Sequence, residues 1–393
     1  MDDVVIVSAV RTPIGKIGGQ LASFSAVELG ILVAKAAIER AQIDPAVIDQ
    51  TIFGNVLQAG SGQNVSRQIG IRAGVPEHSP AMTINEVCGS GLKAIRLGQA
   101  AIAMGDADTV LVGGTESMSQ APYLATNMRF GTKFGDTTLI DSMEHDGLTD
   151  AFSGVPMGMT AENVAEVYHV SRKQQDEFAL ASHRKAAAAS DNHRFTAEIL
   201  PITVESRHGE KTLTRDETIR EDTSLAQLAK LKTIFKVDGT VTAGNAAPLN
   251  DGASALILMR RSKATSLGLS PLATITGYQE VGVDPQLMGY SPVTAITKLF
   301  AKTGQQIADI DLFEINEAFA APSVAVARDL QIPIDKLNPN GGSIAIGHPI
   351  GATGARLITS LIYALKQTQQ QTGLASMCIG GGLGMAMTLK VES

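Results

Sequence analysis

The residues of this sequence with the clearest chemical potential are its two cysteines, Cys88 and Cys378. Cys88 lies between a strand-like run at 82–84 and a helical pattern, where the positive end of the helix dipole favours a thiolate. Cys378 lies in a glycine-rich turn between two strand-like runs, where a thiol could act as a base and backbone N–H groups could bind an oxyanion. For each cysteine, the alternative is a small thiol buried in the core.

Two further turns carry His348 and Asn316. His348 lies in the glycine-rich segment 340–354, which bends sharply enough to aim an imidazole as a base or an oxyanion donor. The alternatives are a cap for a helix near Ala352 and a phosphate-binding loop. Asn316 follows a predicted strand at 311–315, where α/β active sites gather, although it could equally be a helix N-cap. Together with the cysteines, these residues predict attack of a thiolate on a carbonyl with removal of a proton nearby.

Length and composition indicate a large globular protein. The chain has 393 residues, 44% hydrophobic and 18% charged, which excludes a disordered scaffold. Its net charge of −7 argues against a broad nucleic-acid footprint. No apolar run reaches the ~18–20 residues of a membrane span, and the N-terminus has no basic leader-like region. With two cysteines, the sequence predicts a cytoplasmic protein without nucleic-acid or membrane partners.

Short β-branched runs alternate with longer helical stretches, which is typical of an α/β protein with buried sheets. The best predicted strands are 4–8, 109–112, 273–277, 311–315 and 385–389. Capping boxes at Ser25 with Glu28 and at Ser171 with Gln174 indicate two helix starts. A proline directly after Asp44 indicates a third.

The two ends of the chain resemble each other. Three short segments of the first part match three of the last, in the same order and roughly 250–270 residues apart. The pairs begin at Phe53 and Phe313, Asn85 and Asn338, and Val112 and Ile379. This order predicts duplicated α/β units. The stretch between about 119 and 244, which is richer in charge and methionine, is interpreted as an insertion.

The sequence resembles the thiolase family over essentially its whole length. The motifs that carry the resemblance are VSAVRTPIG, NEVCGSGLKAI, VGGTESMS, MTAENVA, GTVTAGNAAPLNDGAS, NEAFA, NPNGGSIAIGHPIGATGAR and MCIGGGLG. The resemblance implies an α/β thiolase fold, with two similar βαβαβ-type halves in a five-layered α-β-α-β-α arrangement. It implies an N-terminal half of 1–119 plus 250–271, an inserted loop domain of 120–249 for CoA binding and oligomerisation, and a C-terminal half of 272–393.

The resemblance also implies a ping-pong acyltransferase that joins two acetyl-CoA molecules into acetoacetyl-CoA and CoA through acetyl-Cys88. In the family pattern His348 activates Cys88, and Cys378 removes the α-proton of the second acetyl-CoA. His348 and a water held by Asn316 stabilise the enolate, and the N–H groups of Cys88 and Gly380 stabilise the other oxyanion. A broader-range 3-ketoacyl-CoA thiolase and a 3-oxoadipyl-CoA thiolase are the alternatives.

CoA enters this scheme as substrate and product, and no resident cofactor or metal is expected. Because the chain is acidic, CoA needs a local positive patch, and the basic residues from Arg207 to Lys236 could supply it, although such a run is usually a solvated face. The resemblance assigns Arg220 to stack near the adenine, which suits a planar guanidinium. It assigns the pantetheine and acyl pocket to Leu148, Met157, Ala243, Ala247, Met288 and Phe319.

The chain departs from the short-chain pattern at two places. Pro156 replaces a histidine, and Ala247-Pro248 replaces a serine–glycine pair. The lost serine hydroxyl predicts CoA binding weaker by about 0.5–1.5 kcal/mol. The resemblance also implies a homotetramer, with contacts through a loop near 123–136 and a dimer interface that the apolar strand 109–112 could form.

Other classes fit the sequence less well. An acyl-CoA or lipid binder without turnover would have lost catalytic motifs, and all of them are present. A nicotinamide-dependent dehydrogenase would need a Gly-x-Gly-x-x-Gly segment after a strand, with an acidic residue ~20 positions later. A 3-ketoacyl-carrier-protein synthase would have a second histidine where Asn316 stands.

Overall fold

The computed structural model describes residues 3–206 and 209–392. Its strands are β1 Val4–Arg11, β2 Gly15–Lys16, β3 Gln50–Gly54, β4 Ala81–Ile84, β5 Thr109–Ser117, β6 Tyr123–Leu124, β7 Ile140–Asp141, β8 Ile202–Ser206, β9 Gly209–Leu213, β10 Asn250–Arg260, β11 Ala273–Gly282, β12 Leu312–Ile315, β13 Thr372–Ile379 and β14 Leu383–Val391. Its helices are α1 Ala26–Ala41, α2 Val65–Arg72, α3 Ser90–Met104, α4 Met157–Val167, α5 Arg172–Asp191, α6 Leu225–Leu228, α7 Arg261–Ser266, α8 Ser291–Thr303, α9 Ala320–Asp329, α10 Ser343–Ile346 and α11 Thr353–Thr368.

Two half-sheets share one strand order. The first runs β4-β3-β5-β10-β1 and the second β12-β13-β14-β11. In each, the strands at the outer end are parallel, and β10 or β14 runs antiparallel to both neighbours. Leu337 forms an isolated parallel β-bridge with Phe313 of β12, and it lies beside β12 as β4 lies beside β3 in the first half-sheet. The halves join where residues 5–6 of β1 pair with residues 273–274 of β11.

Helices α3 and α11 lie between the two half-sheets. Apolar residues of these helices, such as Ile95 and Leu361, share one core with β1, β5 and β10 on one side and β13 and β14 on the other. Helices α1 and α2 cover the outer face of the first half-sheet, and α8 and α9 cover that of the second. Helix and sheet therefore alternate through five layers, and the predicted fold class is confirmed.

Local sequence signals explain where several elements begin. Ser25 and Ser171 start α1 and α5 with complete capping boxes, in which each hydroxyl accepts the N–H of the residue three positions later. The five predicted strands lie within β1, β5, β11, β12 and β14, with β12 starting one residue late at Leu312. Asp44 opens only the three-residue 3₁₀ helix Pro45–Val47, so the third predicted start leads to no α-helix.

Strand β5 lies in the interior of the sheet, where neither of its edges is free to pair with another subunit. Its neighbours β3 and β10 occupy both of its edges, and every one of its residues is buried. The prediction that the run 109–112 pairs at a dimer interface is therefore wrong, because its apolar character reflects burial on both faces of the sheet.

The long connection between β5 and β10 holds four short strands, β6–β9, and three helices, α4–α6. This agrees with the predicted insertion, while the exact division into domains stays a prediction. Across 3–206 and 209–392, no helix has both the length and the apolar character that crossing a membrane requires.

Candidate active site

Cys88 lies in the tight turn between β4 and α3, as predicted. The residue before it, Val87, has a φ of +46°. This left-handed conformation is rare for a β-branched residue and costs on the order of 1–3 kcal/mol. The hydroxyl of Ser90 ties the turn down, because it accepts the N–H of Glu86 and donates to the carbonyl of Val87. The strained turn holds the half-buried thiol just ahead of the first turn of α3.

His348 faces Cys88, with 3.4 Å between Nε2 and Sγ. On the other side of the ring, Nδ1 lies 2.6 Å from Thr353 Oγ1, and that hydroxyl donates to the carbonyl of Pro349. Since the single proton of Thr353 is used there, Thr353 accepts from Nδ1–H of His348. The Nε2 lone pair is thus left to face the thiol. The backbone N–H of His348 donates to Asn250 Oδ1 at 2.8 Å, which fixes the loop.

Two glycines let the helices that follow Cys88 and His348 approach closely. A Cβ on Gly354 of α11 would lie 2.2 Å from the backbone nitrogen of Leu92 in α3. A Cβ on Gly91 of α3 would lie 2.8 Å from the backbone nitrogen of Ala355 in α11. The absence of these side chains brings the two helix N-termini together, and with them the thiol and the imidazole.

The resting Cys88–His348 pair is neutral. Burial raises the pKa of the Cys88 thiol to about 11, although the N–H groups of Gly380 and Cys88 itself donate toward the sulfur and oppose this rise. Burial, and then the charge of Arg356, lower the pKa of His348 to about 3. The predicted position of Cys88 at a helix start is confirmed. The expected thiolate is not, because the desolvation that raises the thiol pKa outweighs the effect of the helix dipole, which would lower it.

Cys378 reaches the same place from the other half of the chain. It lies inside β13, one residue before the strand ends, and not in the glycine-rich turn where the sequence placed it. Burial, and then the neighbouring Cys88, raise the pKa of its thiol to about 12. The cavity that both sulfurs and His348 share has a volume of about 70 Å³. It is lined by Val87, Cys88, Met118, Gly147, Leu148, Met157, Ala247, Pro248, Leu249, Met288, Ala318, Phe319, His348, Ile350 and Cys378.

Asn316 lies directly after β12, at the carboxyl end of the strand as predicted. Its Oδ1 accepts a hydrogen bond from Ser343 Oγ at 2.6 Å. Its Nδ2 is buried and has no hydrogen-bond partner among residues 3–206 and 209–392. Asn316 does not line the cavity itself, whereas Ala318 and Phe319, which follow it, do. A buried amide donor is therefore available close to the cavity wall.

The predicted CoA positions divide into two groups. Leu148, Met157, Ala247, Met288 and Phe319 line the cavity. Ala243 and Arg220 do not; both are exposed, and the backbone N–H of Arg220 donates to His183.

Some residues of the basic stretch in the insertion form ion pairs with acidic side chains. Arg215 pairs with Asp191 and Glu221, and Lys236 pairs with Glu166. Its other described members are exposed: Lys211, Arg220, Lys230 and Lys232. Arg207 and His208, which begin the predicted patch, lie outside the described residues.

Sequence reasoning missed several residues that hold the site. Thr353 and Asn250 orient His348. Thr353 lies in the glycine-rich segment interpreted through His348, and Asn250 lies in the motif interpreted through the CoA contacts Ala243 and Ala247. Glu116 is buried, and its carboxylate accepts from Asn55 Nδ2 and from the N–H groups of Val56, Leu57 and Gly351. A glutamate within a buried strand-like run is the signal that could have identified it.

Comparison with known proteins decides the family. Residues 4–262 match the family described as Thiolase, N-terminal domain, and residues 269–391 match Thiolase, C-terminal domain. This chain belongs to the thiolase family. The predicted thiolase fold and the predicted enzyme class, an acyltransferase, are confirmed.

This thiolase has relatives with related names. Proteins named "Probable acetyl-CoA acyltransferase" are 51% identical in Staphylococcus epidermidis strain RP62A and 48% identical in Staphylococcus aureus strain COL, each over 98% of both chains. Among solved structures, a Bacillus anthracis acetyl-CoA acetyltransferase has a TM-score of 0.97 at 41% identity, covering 100% of this chain and 99% of that one. A human mitochondrial 3-ketoacyl-CoA thiolase has a TM-score of 0.97 at 44% identity, with the same coverage.

Proposed function

We propose that this thiolase condenses two acetyl-CoA molecules to acetoacetyl-CoA and CoA, reversibly, through acetyl-Cys88. One observation carries the proposal: Cys88, Cys378 and His348 come from distant parts of the chain and line one cavity of about 70 Å³. Met157 and Met288 line this cavity beside Cys378, and their side chains would limit the length of the acyl group. Two thiols and an imidazole supply a nucleophile and two groups that move protons.

In the first half-reaction, the Cys88 sulfur attacks the thioester carbonyl of acetyl-CoA while its proton passes to Nε2 of His348. The neutral resting pair and the 3.4 Å separation support this coupled transfer. The N–H groups of Cys88 and Gly380 hold the tetrahedral oxyanion, and both already donate toward the sulfur in the resting state. The departing CoA thiolate takes the proton of Cys378. Acetyl-Cys88, an imidazolium and a Cys378 thiolate remain.

The transfer of a proton from Cys378 to the departing CoA thiolate accounts for how the Cys378 thiol, with its pKa raised to about 12, becomes a base. In the second half-reaction, the Cys378 thiolate removes a methyl proton from a second acetyl-CoA. Nε2–H of His348 and a water held by Asn316 stabilise the enolate oxygen. The enolate carbon attacks acetyl-Cys88, the Cys88 thiolate leaves, and His348 returns its proton to it. All three side chains are then as they began.

CoA is the substrate in this proposal, and the protein needs no resident cofactor or metal. Leu148, Met157 and Phe319 lie along the cavity where the pantetheine arm would approach the sulfurs. The exposed Arg220 guanidinium would stack near the adenine. Because both thiols must stay reduced, the cytoplasm is the proposed location.

The deciding experiment is mass spectrometry of the intact protein after exposure to acetyl-CoA. We expect one acetyl adduct, which peptide mapping locates on Cys88, and no adduct on the Cys88→Ala variant. An adduct that survives this substitution would show that Cys88 is not the nucleophile. Incubation with radiolabelled acetyl-CoA should also yield labelled acetoacetyl-CoA.

A broader-range 3-ketoacyl-CoA thiolase is the second candidate, and a neighbouring cavity favours it. This cavity has a volume of about 390 Å³ and shares Val87, Gly147 and Met157 with the catalytic cavity. Asp146 and Asp150 also line it, and their carboxylates would repel the terminal carboxylate of a 3-oxoadipyl group, so this cavity favours a neutral 3-ketoacyl chain. Thiolysis rates on acetoacetyl-CoA, longer 3-ketoacyl-CoA and 3-oxoadipyl-CoA separate the candidates.

We also propose a homotetramer. Phe130 and Phe134, between β6 and β7, are 95% and 98% exposed, and single chains rarely leave such aromatic side chains in water. For the dimer contact, the edge strand β4 replaces the predicted β5. Its outer edge has no strand partner in the described parts of the chain, and its Met82 is 45% exposed.

A further inference from the structure

A buried chain of hydrogen bonds leads from Arg356 to Asn316. Arg356 Nη2 lies 2.6 Å from Ser343 Oγ, and Ser343 Oγ lies 2.6 Å from Asn316 Oδ1. All three residues are at most 4% exposed. They come from three elements: Arg356 from α11, Ser343 from the start of α10, and Asn316 from the end of β12.

The direction of each hydrogen bond follows from the chemistry of the groups. A guanidinium can only donate, so Ser343 Oγ accepts from Arg356. Ser343 has one hydroxyl proton, and within 3–206 and 209–392 the acceptor that its Oγ reaches is Asn316. The amide atom that faces Ser343 must therefore be the oxygen. Nδ2 of Asn316 is left on the other side of the amide, as the buried donor without a protein partner.

Arg356 is buried beside one acidic residue. Its Nη1 lies 3.7 Å from Glu314 Oε2, which is too far for a hydrogen bond, and both side chains are 1% exposed. Ser343 is fixed in turn by its backbone, since the N–H of the preceding Gly342 donates to Ser182 Oγ and the N–H of Ile344 donates to Glu317. The guanidinium thus donates to a hydroxyl whose backbone is fixed on both sides, and Asn316 accepts from that hydroxyl at the other end.

We propose that Ser343 and Arg356 are positioning residues for the condensation, which fix the side-chain amide of Asn316 with its N–H₂ as the free donor. This inference rests on the proposed function, in which that donor holds the water on the enolate oxygen. A flipped amide would present a carbonyl oxygen to the water and repel the developing charge. In this relay, the Ser343 hydroxyl therefore serves the second half-reaction, and its loss should leave the acetylation of Cys88 untouched.

The test uses the full-length protein and measures the two half-reactions separately. Exchange of label between CoA and acetyl-CoA reports acetylation of Cys88. Deuterium uptake into the methyl group of acetyl-CoA in D₂O reports enolisation. For Ser343→Ala, we expect deuterium uptake to fall by about 10- to 100-fold while the label exchange stays within about twofold.

Ser254→Ala is the matched control. Ser254 is also fully buried, and its hydroxyl donates to the carbonyl of Val10, away from the cavity. It should leave both rates unchanged. If Ser343→Ala does not fold, Ser343→Cys keeps the volume with only a weak donor and should show the same selective loss. Ser343→Thr, which keeps the hydroxyl, should recover part of the enolisation rate.

The outcomes separate this inference from the proposed function. Selective loss of deuterium uptake, with recovery by threonine, supports the relay. Equal loss of both rates, or no loss in either, overturns it while the proposed function stands. Absence of label exchange and deuterium uptake in the unmodified protein overturns the proposed function, and the relay with it.

Discussion

Burial works against ionisation at both sulfur atoms of the cavity, and this decides how the proposed reaction begins. The pKa of Cys88 is raised to about 11 and that of His348 is lowered to about 3, so a thiolate–imidazolium pair is disfavoured before substrate enters. An activated thiolate would be exposed to oxidation between turnovers. In the proposed order of events, charge appears only when a thioester carbonyl is present to receive it.

The neutral pair predicts the pH dependence of Cys88 alkylation by iodoacetamide. Because the folded-state pKa of the thiol is raised, the thiolate fraction is small at neutral pH, and the rate should keep rising with pH toward about 11. A plateau reached near about pH 7 would show a preformed ion pair and contradict the prediction.

His348→Ala should shift this alkylation profile to higher pH. The substitution removes Nε2, which lies 3.4 Å from the sulfur and accepts its proton in the proposed reaction. Rates are measured for both proteins under the same denaturant-free conditions, with the Cys88→Ala variant correcting for reaction at Cys378. An unchanged profile would argue against activation through the imidazole.

Cys378→Ala should separate the two half-reactions. The acetyl group should still accumulate on Cys88, because the nucleophile and His348 remain. Condensation should fall by roughly 10²–10⁴-fold, the usual contribution of a positioned base. Intact mass and acetoacetyl-CoA formation are measured on the same sample. Normal condensation by this variant would exclude Cys378 as the base.

At the scale of elements, the approach of α3 to α11 sets the distance between the Cys88 thiol and the His348 imidazole. Gly354→Ala would place a Cβ 2.2 Å from the backbone of Leu92, so the helices must separate. We expect the free energy of unfolding to fall by about 1–3 kcal/mol. We also expect Cys88 acetylation to slow by at least about 10-fold, because the Cys88–His348 contact lengthens.

Gly282→Ala is the control for this prediction. Its added Cβ would meet only Leu383 Cδ2 at 4.0 Å, an ordinary contact. Denaturant midpoints and acetylation rates of the two variants are compared with those of the unmodified protein. If Gly354→Ala behaves like the control, the close crossing of the helices does not position the site.

Local signals explain why much of this arrangement could be predicted from the sequence. The capping boxes at Ser25 and Ser171 act through neighbouring residues, and the turn of Cys88 follows from a short strand run next to a helical pattern. The motifs also place His348 and Asn316 at the ends of elements. Such features need no knowledge of distant contacts.

The predictions that the structure corrects depend on contacts between residues that are far apart in the sequence. An apolar run such as 109–112 is compatible with a central strand and with a strand at a subunit interface. Only the pairing of β5 with β3 and β10 shows that it is a central strand. The direction of the Cys88 pKa shift depends on burial by residues far away in the sequence. The relay through Ser343 likewise depends on contacts between three separate elements.

At the scale of the whole molecule, the exposed aromatic side chains make a prediction about assembly. Phe130→Ser combined with Phe134→Ser should convert tetramers into dimers, because these side chains would lose an apolar contact between subunits. Light scattering coupled to size-exclusion chromatography measures the mass. The dimers should keep their secondary structure, since neither phenylalanine packs in the core. An unchanged mass for the variant, or a monomeric unmodified protein, would contradict the prediction.

The repeated strand order carries a consequence for how the two halves divide their tasks. In the first half-sheet, Gly54 of β3 pairs with Gly114 of β5, and in the second, Ile315 of β12 pairs with Ser376 of β13. Two residues after these pairs, Glu116 follows on β5 and Cys378 on β13, so the two residues occupy matching places. At this place the first half has a carboxylate that braces loops, and the second half has a sulfur that lines the cavity. Because the two halves carry different residues there, one supplies the scaffold and the other a reagent of the proposed reaction.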